Sequence, residues 1–295
     1  MGSMKPLPSS SSTSSNRWWC KDVVAVVTGG NTGIGLALVR QLAKLGLSVV
    51  LTCRDVSKGN KAVESLRLQG LHVNFCRLDV LDHASIKYFV SWLRETLGGL
   101  DILVNNAAVS LKEIGENSVV HAETVINTNF YGPKLLTEAL LPLFRRSKHI
   151  SRILNISSRL GSLNKVSNPA VRKILEDEEN LSEERIDNIV QQFLEDVRNG
   201  MWNKNGWPEV WTDYAVSKLA LNAYSRLLAK RYNGHGLSVN CYCPGFTQTS
   251  MTDGKGKHTP DYVADIGAKL VLLPPDHLPT GKFYVASNKF LDSKL

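Results

Sequence analysis

The chain has 295 residues, 43% of them hydrophobic and 21% charged, with a formal net charge of +8. That balance excludes a disordered or fibrous protein, and no stretch approaches the 18 or so uninterrupted apolar residues of a membrane span. The positive charge asks for an anionic partner, but basic and acidic residues are interspersed with no Lys/Arg run to serve as a nucleic-acid arm, so a phosphorylated small ligand is favoured over DNA or RNA.

Residues 1–17 are Ser-rich and lack acidic side chains and periodicity, and they read as a disordered tail. Pro6 stands where a myristoylation signal needs Ser or Thr, and Lys5 and Arg17 alone are thin support for a transit peptide. Five cysteines, Cys20, Cys53, Cys76, Cys241 and Cys243, form an odd set without metal-ligand spacing, so they are expected to be reduced packing residues with no metal.

From residue 22 onward, short apolar runs alternate with helical patterns. The Val-rich run ending at Thr28 precedes a stretch in which Ile34, Leu38, Leu42 and Leu45 recur at helical spacing. Similar runs follow at 47–54, 72–80, 100–108, 152–158, 237–245 and 281–287, each with helix or loop between. Near-continuous apolar strands separated by helices predict a Rossmann-type, doubly wound α/β fold: a parallel sheet with helices on both faces, in one domain over 18–292.

One segment breaks the rhythm. Residues 164–211 form an insertion in which Ser182 reads as an N-cap and Ile186, Ile189, Val190, Phe193, Leu194 and Val197 share a helical stripe. Between 171 and 200 there are nine acidic and four basic residues, a net −5 against +13 for the rest, which predicts an acidic helical lid on a basic body.

The first strand runs into Thr28-Gly29-Gly30-Asn31-Thr32-Gly33-Ile34-Gly35. Glycines 29, 33 and 35 allow a tight turn and close backbone approach to a pyrophosphate at a helix N-terminus. The second strand ends Thr52-Cys53-Arg54-Asp55. Arg54 suits the 2′-phosphate of NADPH, while Asp55, one residue on, leaves NAD open.

The motifs TGGNTGIG at 28–35, NNAA at 105–108, NISS at 155–158, Tyr214-Ala-Val-Ser-Lys218 and Pro244-Gly245 occur in the order of the short-chain dehydrogenase/reductase family, which this chain resembles over about residues 22–250. The long insertion, TGGN and TCRD resemble the lid-bearing plant carbonyl reductases, the salutaridine and menthone reductase group, and imply NADPH. Thr32, where many relatives have lysine, removes a possible second phosphate contact.

The resemblance implies a catalytic tetrad. Tyr214 would protonate the carbonyl oxygen, Lys218 would favour its phenolate, Ser158 would align the substrate, and Asn129 would hold a water linking the lysine to solvent. It also implies that Asp79, Val80, Asn106 and Ala107 surround the adenosine, with Asn31, Thr32 and Ile34 in the glycine loop. Ile156, Pro244, Gly245, Thr247 and Thr249 would border the nicotinamide and phosphates. Trp207, Trp211 and Phe246 are candidates for an aromatic substrate pocket, although buried tryptophans commonly serve packing alone.

Three activities are open: reduction of an aldehyde or ketone, reduction of an aromatic acyl-CoA such as benzoyl-CoA to the aldehyde, and a non-catalytic partner role, against which the intact tetrad counts. The terminal Ser293-Lys294-Leu295 is the tripeptide that a peroxisomal import receptor reads. It extends the resemblance to the α subunits of benzaldehyde synthases, which implies a peroxisomal acyl-CoA substrate and a hetero-oligomer with a second short-chain dehydrogenase/reductase subunit. Otherwise a monomer is expected, because the insertion covers a surface that other members use to pair.

Overall fold

A computed structural model describes residues 17–110, 118–146, 151–275, 278–286 and 291–293. In chain order the elements are β1 (Val24–Thr28), α1 (Gly33–Lys44), β2 (Ser48–Cys53), α2 (Val56–Arg67), β3 (Asn74–Arg77), α3 (His83–Leu97), β4 (Ile102–Asn105), α4 (Val119–Ile126), α5 (Gly132–Leu140) and β5 (Ser151–Ile156). They continue with α6 (Pro169–Glu176), α7 (Glu183–Arg198), α8 (Thr212–Arg231), β6 (Leu237–Cys243), α9 (Pro260–Val271), β7 (Phe283–Val285) and β8 (Leu291–Ser293).

The strands form one sheet in the order β3-β2-β1-β4-β5-β6-β7-β8, parallel throughout except for β8. Both faces are covered, which is why whole strands are buried: in β1, Val24 and Val26 pack on one side and Ala25 and Val27 on the other. The first core holds α3, α4, α5 and α8; the second holds α1, α2 and α9. Strand order reverses where β4 returns beside β1, opening a crevice at the strands' carboxyl ends.

The insertion folds as α6 and α7. Asn168 caps α6 by accepting from Ala170 N and Val171 N, and Ser182 caps α7 through Arg185 N. The whole apolar stripe from Ile186 to Val197 is buried, and α7 packs against α4 and α8. Its acidic face is tied to the body: Lys134 lies 2.9 Å from Asp187 and 3.3 Å from Glu183, and Arg231 pairs with Glu183 and Glu138. Covered by β6 on one side and the lid on another, α8 is buried almost all round and accordingly lacks a polar face.

At the N-terminus, the Arg152 guanidinium stacks 3.6 Å over the Trp18 ring, and the Trp18 indole donates to the Leu272 carbonyl. The sequence ends its last strand near 287, but β8 pairs antiparallel with β7, placing Ser293 opposite Phe283. Ser293 therefore lies in a backbone ladder, while Lys294, Leu295 and residues 1–16 fall outside the described residues. Among the described residues no helix is long and apolar enough to cross a membrane, and all five cysteines are free, with no group able to hold a metal.

Candidate active site

A cavity of about 810 Å³ occupies the crevice at the carboxyl ends of the strands. Its floor is set by Thr28, whose Oγ1 accepts from Asn106 N at 2.9 Å and Ala107 N at 3.0 Å. The Asn106 side chain returns a bond to the Thr28 carbonyl at 2.8 Å, locking the β1 and β4 loops together. This contact requires Gly35: a Cβ there would overlap the Gly29 carbonyl and the Asn106 amide. Gly29 and Gly33 adopt φ 61° and 54°, a region that favours glycine.

The N-terminus of α1 is open toward the cavity. Thr32 makes no side-chain capping bond and the first turn carries no acidic residue, so its backbone N–H groups are available to an anion. Asn31, Thr32, Gly33, Ile34 and Gly35 all line the wall. This cradle fits the pyrophosphate of a dinucleotide.

Arg54, exposed, stands at one end beside Asp55, Asp79 and Val80. One oxygen of the Asp55 carboxylate caps α2 by accepting from Lys58 N at 3.0 Å and the other lies 3.9 Å from Lys58 Nζ, both of which compete with a ribose diol for this acceptor. Lys58 lines the same end. Arg54 and Lys58, the latter beside the Asp55 carboxylate, are thus the two cations that border the cavity where a 2′-phosphate would sit.

At the other end α8 presents Tyr214 and Lys218 one turn apart on the cavity side. Lys218 Nζ donates to the Ile156 carbonyl at 2.8 Å and lies 5.5 Å from the Tyr214 ring centre. The lysine is 2% exposed, and burial pulls its pKa down to about 8. Burial also raises the Tyr214 phenol, with a smaller push from nearby Cys243. Lysine charge was expected to hold the phenol low; the net direction is upward instead, driven by desolvation, which favours the protonated phenol.

Ser158 Oγ accepts from Leu160 N at 3.2 Å, which leaves its hydroxyl proton for another acceptor. The serine loop is tied to α8 by Asn222, which accepts from Ser157 Oγ at 2.6 Å and donates to the Gly161 carbonyl at 3.0 Å. Gly161 presses so closely on Lys218 and Leu219 that a Cβ would overlap their backbone. Trp211 caps α8 in the left-handed region, φ 51°, and sets its indole edge-on to Tyr214 at 5.8 Å. With Val210 and Phe246 it forms an apolar mouth.

Comparison with known proteins identifies the scaffold. The family model described as short chain dehydrogenase matches residues 23–170 and 203–260. The chain belongs to the short-chain dehydrogenase family. The unmatched interval between those segments contains α7, so the lid is an addition to the family's common scaffold. Salutaridine reductase of Papaver bracteatum is 42% identical, the match covering 89% of this chain and 94% of the relative; (+)-neomenthol dehydrogenase of Arabidopsis thaliana is 38% identical over 88% and 95%. The solved structure of salutaridine reductase from Papaver somniferum superposes with a TM-score of 0.81 at 39% identity, covering 89% of this chain and 99% of that one.

On this short-chain dehydrogenase scaffold the structure brings Ser158, Tyr214, Lys218, Pro244, Gly245, Thr247 and Thr249 to one cavity with the glycine loop. One expectation is corrected. Trp207 is 2% exposed, edge-on to Phe193, with its indole bonded to Asp196 at 2.7 Å; it holds the lid and walls no pocket. Asn129 lies behind the cavity wall: its side-chain amide donates to the Val109 carbonyl and Ser217 Oγ, and its Oδ1 accepts from Val109 N. Ser217 in turn donates to the Tyr214 carbonyl at 2.7 Å. Sequence reading missed Lys58, whose signal was its place one turn beyond Arg54.

Proposed function

We propose that the protein reduces a carbonyl compound with NADPH. The supporting observation is one cavity holding the pyrophosphate cradle and the Arg54–Lys58 pair at one end and Ser158, Tyr214 and Lys218 at the other. Bound there, the nicotinamide supplies a hydride to the carbonyl carbon. The chain's own residues handle the oxygen: Ser158 donates a hydrogen bond that orients it, and Tyr214 delivers a proton as negative charge develops. Lys218, charged below about pH 8, favours the phenolate left behind. Asn129 and Asn222 are positioning residues. The human relative named carbonyl reductase [NADPH] 1, 37% identical, supports the cofactor choice.

A second reading is an aromatic acyl-CoA as substrate: hydride adds to the thioester carbon, the tetrahedral adduct collapses, the C–S bond breaks and coenzyme A leaves as the thiol, giving an aldehyde. The aromatic mouth and the basic body favour it; Ser293-Lys294-Leu295 fits import through a peroxisomal receptor that draws Ser293 out of its pairing with Phe283, and the resemblance to benzaldehyde synthases supports a second short-chain dehydrogenase subunit as partner. The deciding assay offers NADPH with benzaldehyde, a cyclic ketone and benzoyl-CoA in parallel, with and without a candidate partner. Free thiol released from the thioester supports the second reading; ketone turnover beside an untouched thioester rejects it. No NADPH oxidation with any carbonyl rejects both.

A further inference from the structure

Arg159 is exposed, follows Ser158 directly, and lines the cavity, yet its guanidinium has no ion-pair or hydrogen-bond partner among the described residues. Its backbone, in contrast, is fixed. Arg159 N donates to Cys243 Sγ at 3.3 Å, the flanking Leu160 N bonds Ser158 Oγ, and Asn222 grips Ser157 and Gly161 on either side. The side chain thus springs from a rigid root beside the carbonyl-orienting serine.

Arg54 and Lys58 stand apart from it along the sheet. Arg54 ends β2 and Arg159 follows β5, three strand spacings apart in the order β2-β1-β4-β5, about 14 Å at ~4.8 Å per spacing. The nucleotide's 2′-phosphate would lie at the Arg54 end, and the open N-terminus of α1 would hold its pyrophosphate. Arg159 lines the cavity beside Ser158, at the end that also holds Tyr214, and the apolar Val210, Trp211 and Phe246 line the same cavity.

We infer that Arg159 is an anion anchor for the substrate, and that the substrate class is an apolar, aromatic-sized carbonyl compound carrying a negatively charged group. This rests on the carbonyl-reductase reading above. A carboxylate or a phosphate offers the same bidentate acceptor chemistry to a guanidinium, so the two sources are separated by experiment.

The test measures steady-state kinetics with saturating NADPH for benzaldehyde, 4-carboxybenzaldehyde and benzoyl-CoA, comparing the native protein with Arg159→Ala and Arg159→Lys. Arg159→Ala should raise KM for the anionic substrate at least tenfold more than for benzaldehyde, with kcat much less affected, and Arg159→Lys should restore part of the loss. Selective loss on 4-carboxybenzaldehyde assigns the anchor to a carboxylate near the ring; selective loss on benzoyl-CoA assigns it to the coenzyme A phosphates. Equal losses on charged and neutral substrates, no loss on either, or turnover by the native protein of benzaldehyde alone would overturn the inference while leaving carbonyl reduction standing. Failure to turn over any of the three, or the cyclic ketone, would instead remove the reading beneath it.

Discussion

Lys218 is 2% exposed and gives its hydrogen bond to a neutral acceptor, the Ile156 carbonyl, so no carboxylate offsets the cost of burying its charge. Its pKa falls from 10.5 to about 8 on folding. The sign follows by linkage: below about pH 8 both states are protonated and the folded state bears the full cost, roughly 3 kcal/mol at ~1.4 kcal/mol per unit. Between about 8 and 10.5 the unfolded chain binds the proton that the native one has shed, so stability rises with pH. Lys218→Met should therefore melt higher than the native protein at pH 7, an advantage that shrinks as pH approaches 10.5. Activity should show the opposite trend, with kcat for carbonyl reduction declining above about pH 8 as the helpful charge is lost. Tyr214→Phe should abolish turnover while NADPH still binds, as read by nucleotide fluorescence; retained turnover would remove Tyr214 from the chemistry.

At the scale of elements, α8 carries the reacting pair on its first turns while its other faces support the lid. The Ser157–Asn222–Gly161 link fixes that helix against the serine loop. Asn222→Ala should lower kcat tenfold or more with a small change in NADPH affinity, a split that simple loss of stability would not give. Trp207→Ala empties a buried site and strands the Asp196 carboxylate; a loss of about 3–5 kcal/mol is expected, seen as a lower unfolding midpoint. The contrast between Trp207 and Trp211 shows what sequence could and could not reveal. Near-continuous apolar runs located the strands and 3.6-residue spacing the stripe of α7, because burial on both faces or on one dictates residue type along the element, while the glycine loop showed itself by its motif. Nothing along the chain distinguished two tryptophans four residues apart. That depended on the left-handed turn at Trp211, which swings one indole toward Tyr214 and leaves the other under the lid. Likewise Asp55 looked wholly available to a ribose, whereas one of its oxygens caps α2 and the other stands near Lys58 Nζ.

Over the whole molecule, the acidic lid is joined to the basic body through Lys134, which is 13% exposed and held by the Glu183 and Asp187 carboxylates of α7; Arg172–Glu176, by contrast, lies within α6 and is open to solvent. Lys134→Met should weaken lid attachment more than loss of the surface pair, which is expected to contribute under 1 kcal/mol; accelerated hydrogen exchange in α7 would report it. The cavity itself is assembled from widely separated stretches: the glycine loop after β1, Arg54 after β2, Asn106 after β4, Ser158 after β5, and Pro244 to Thr249 after β6. During synthesis these appear in that order, and the wall formed by the Pro244 loop comes last. A growing or truncated chain that has not yet laid β6 beside β5 has half a cradle and no far wall. The nucleotide can therefore rescue a destabilised but complete protein by binding its native state, yet it cannot rescue a chain cut short before residue 243.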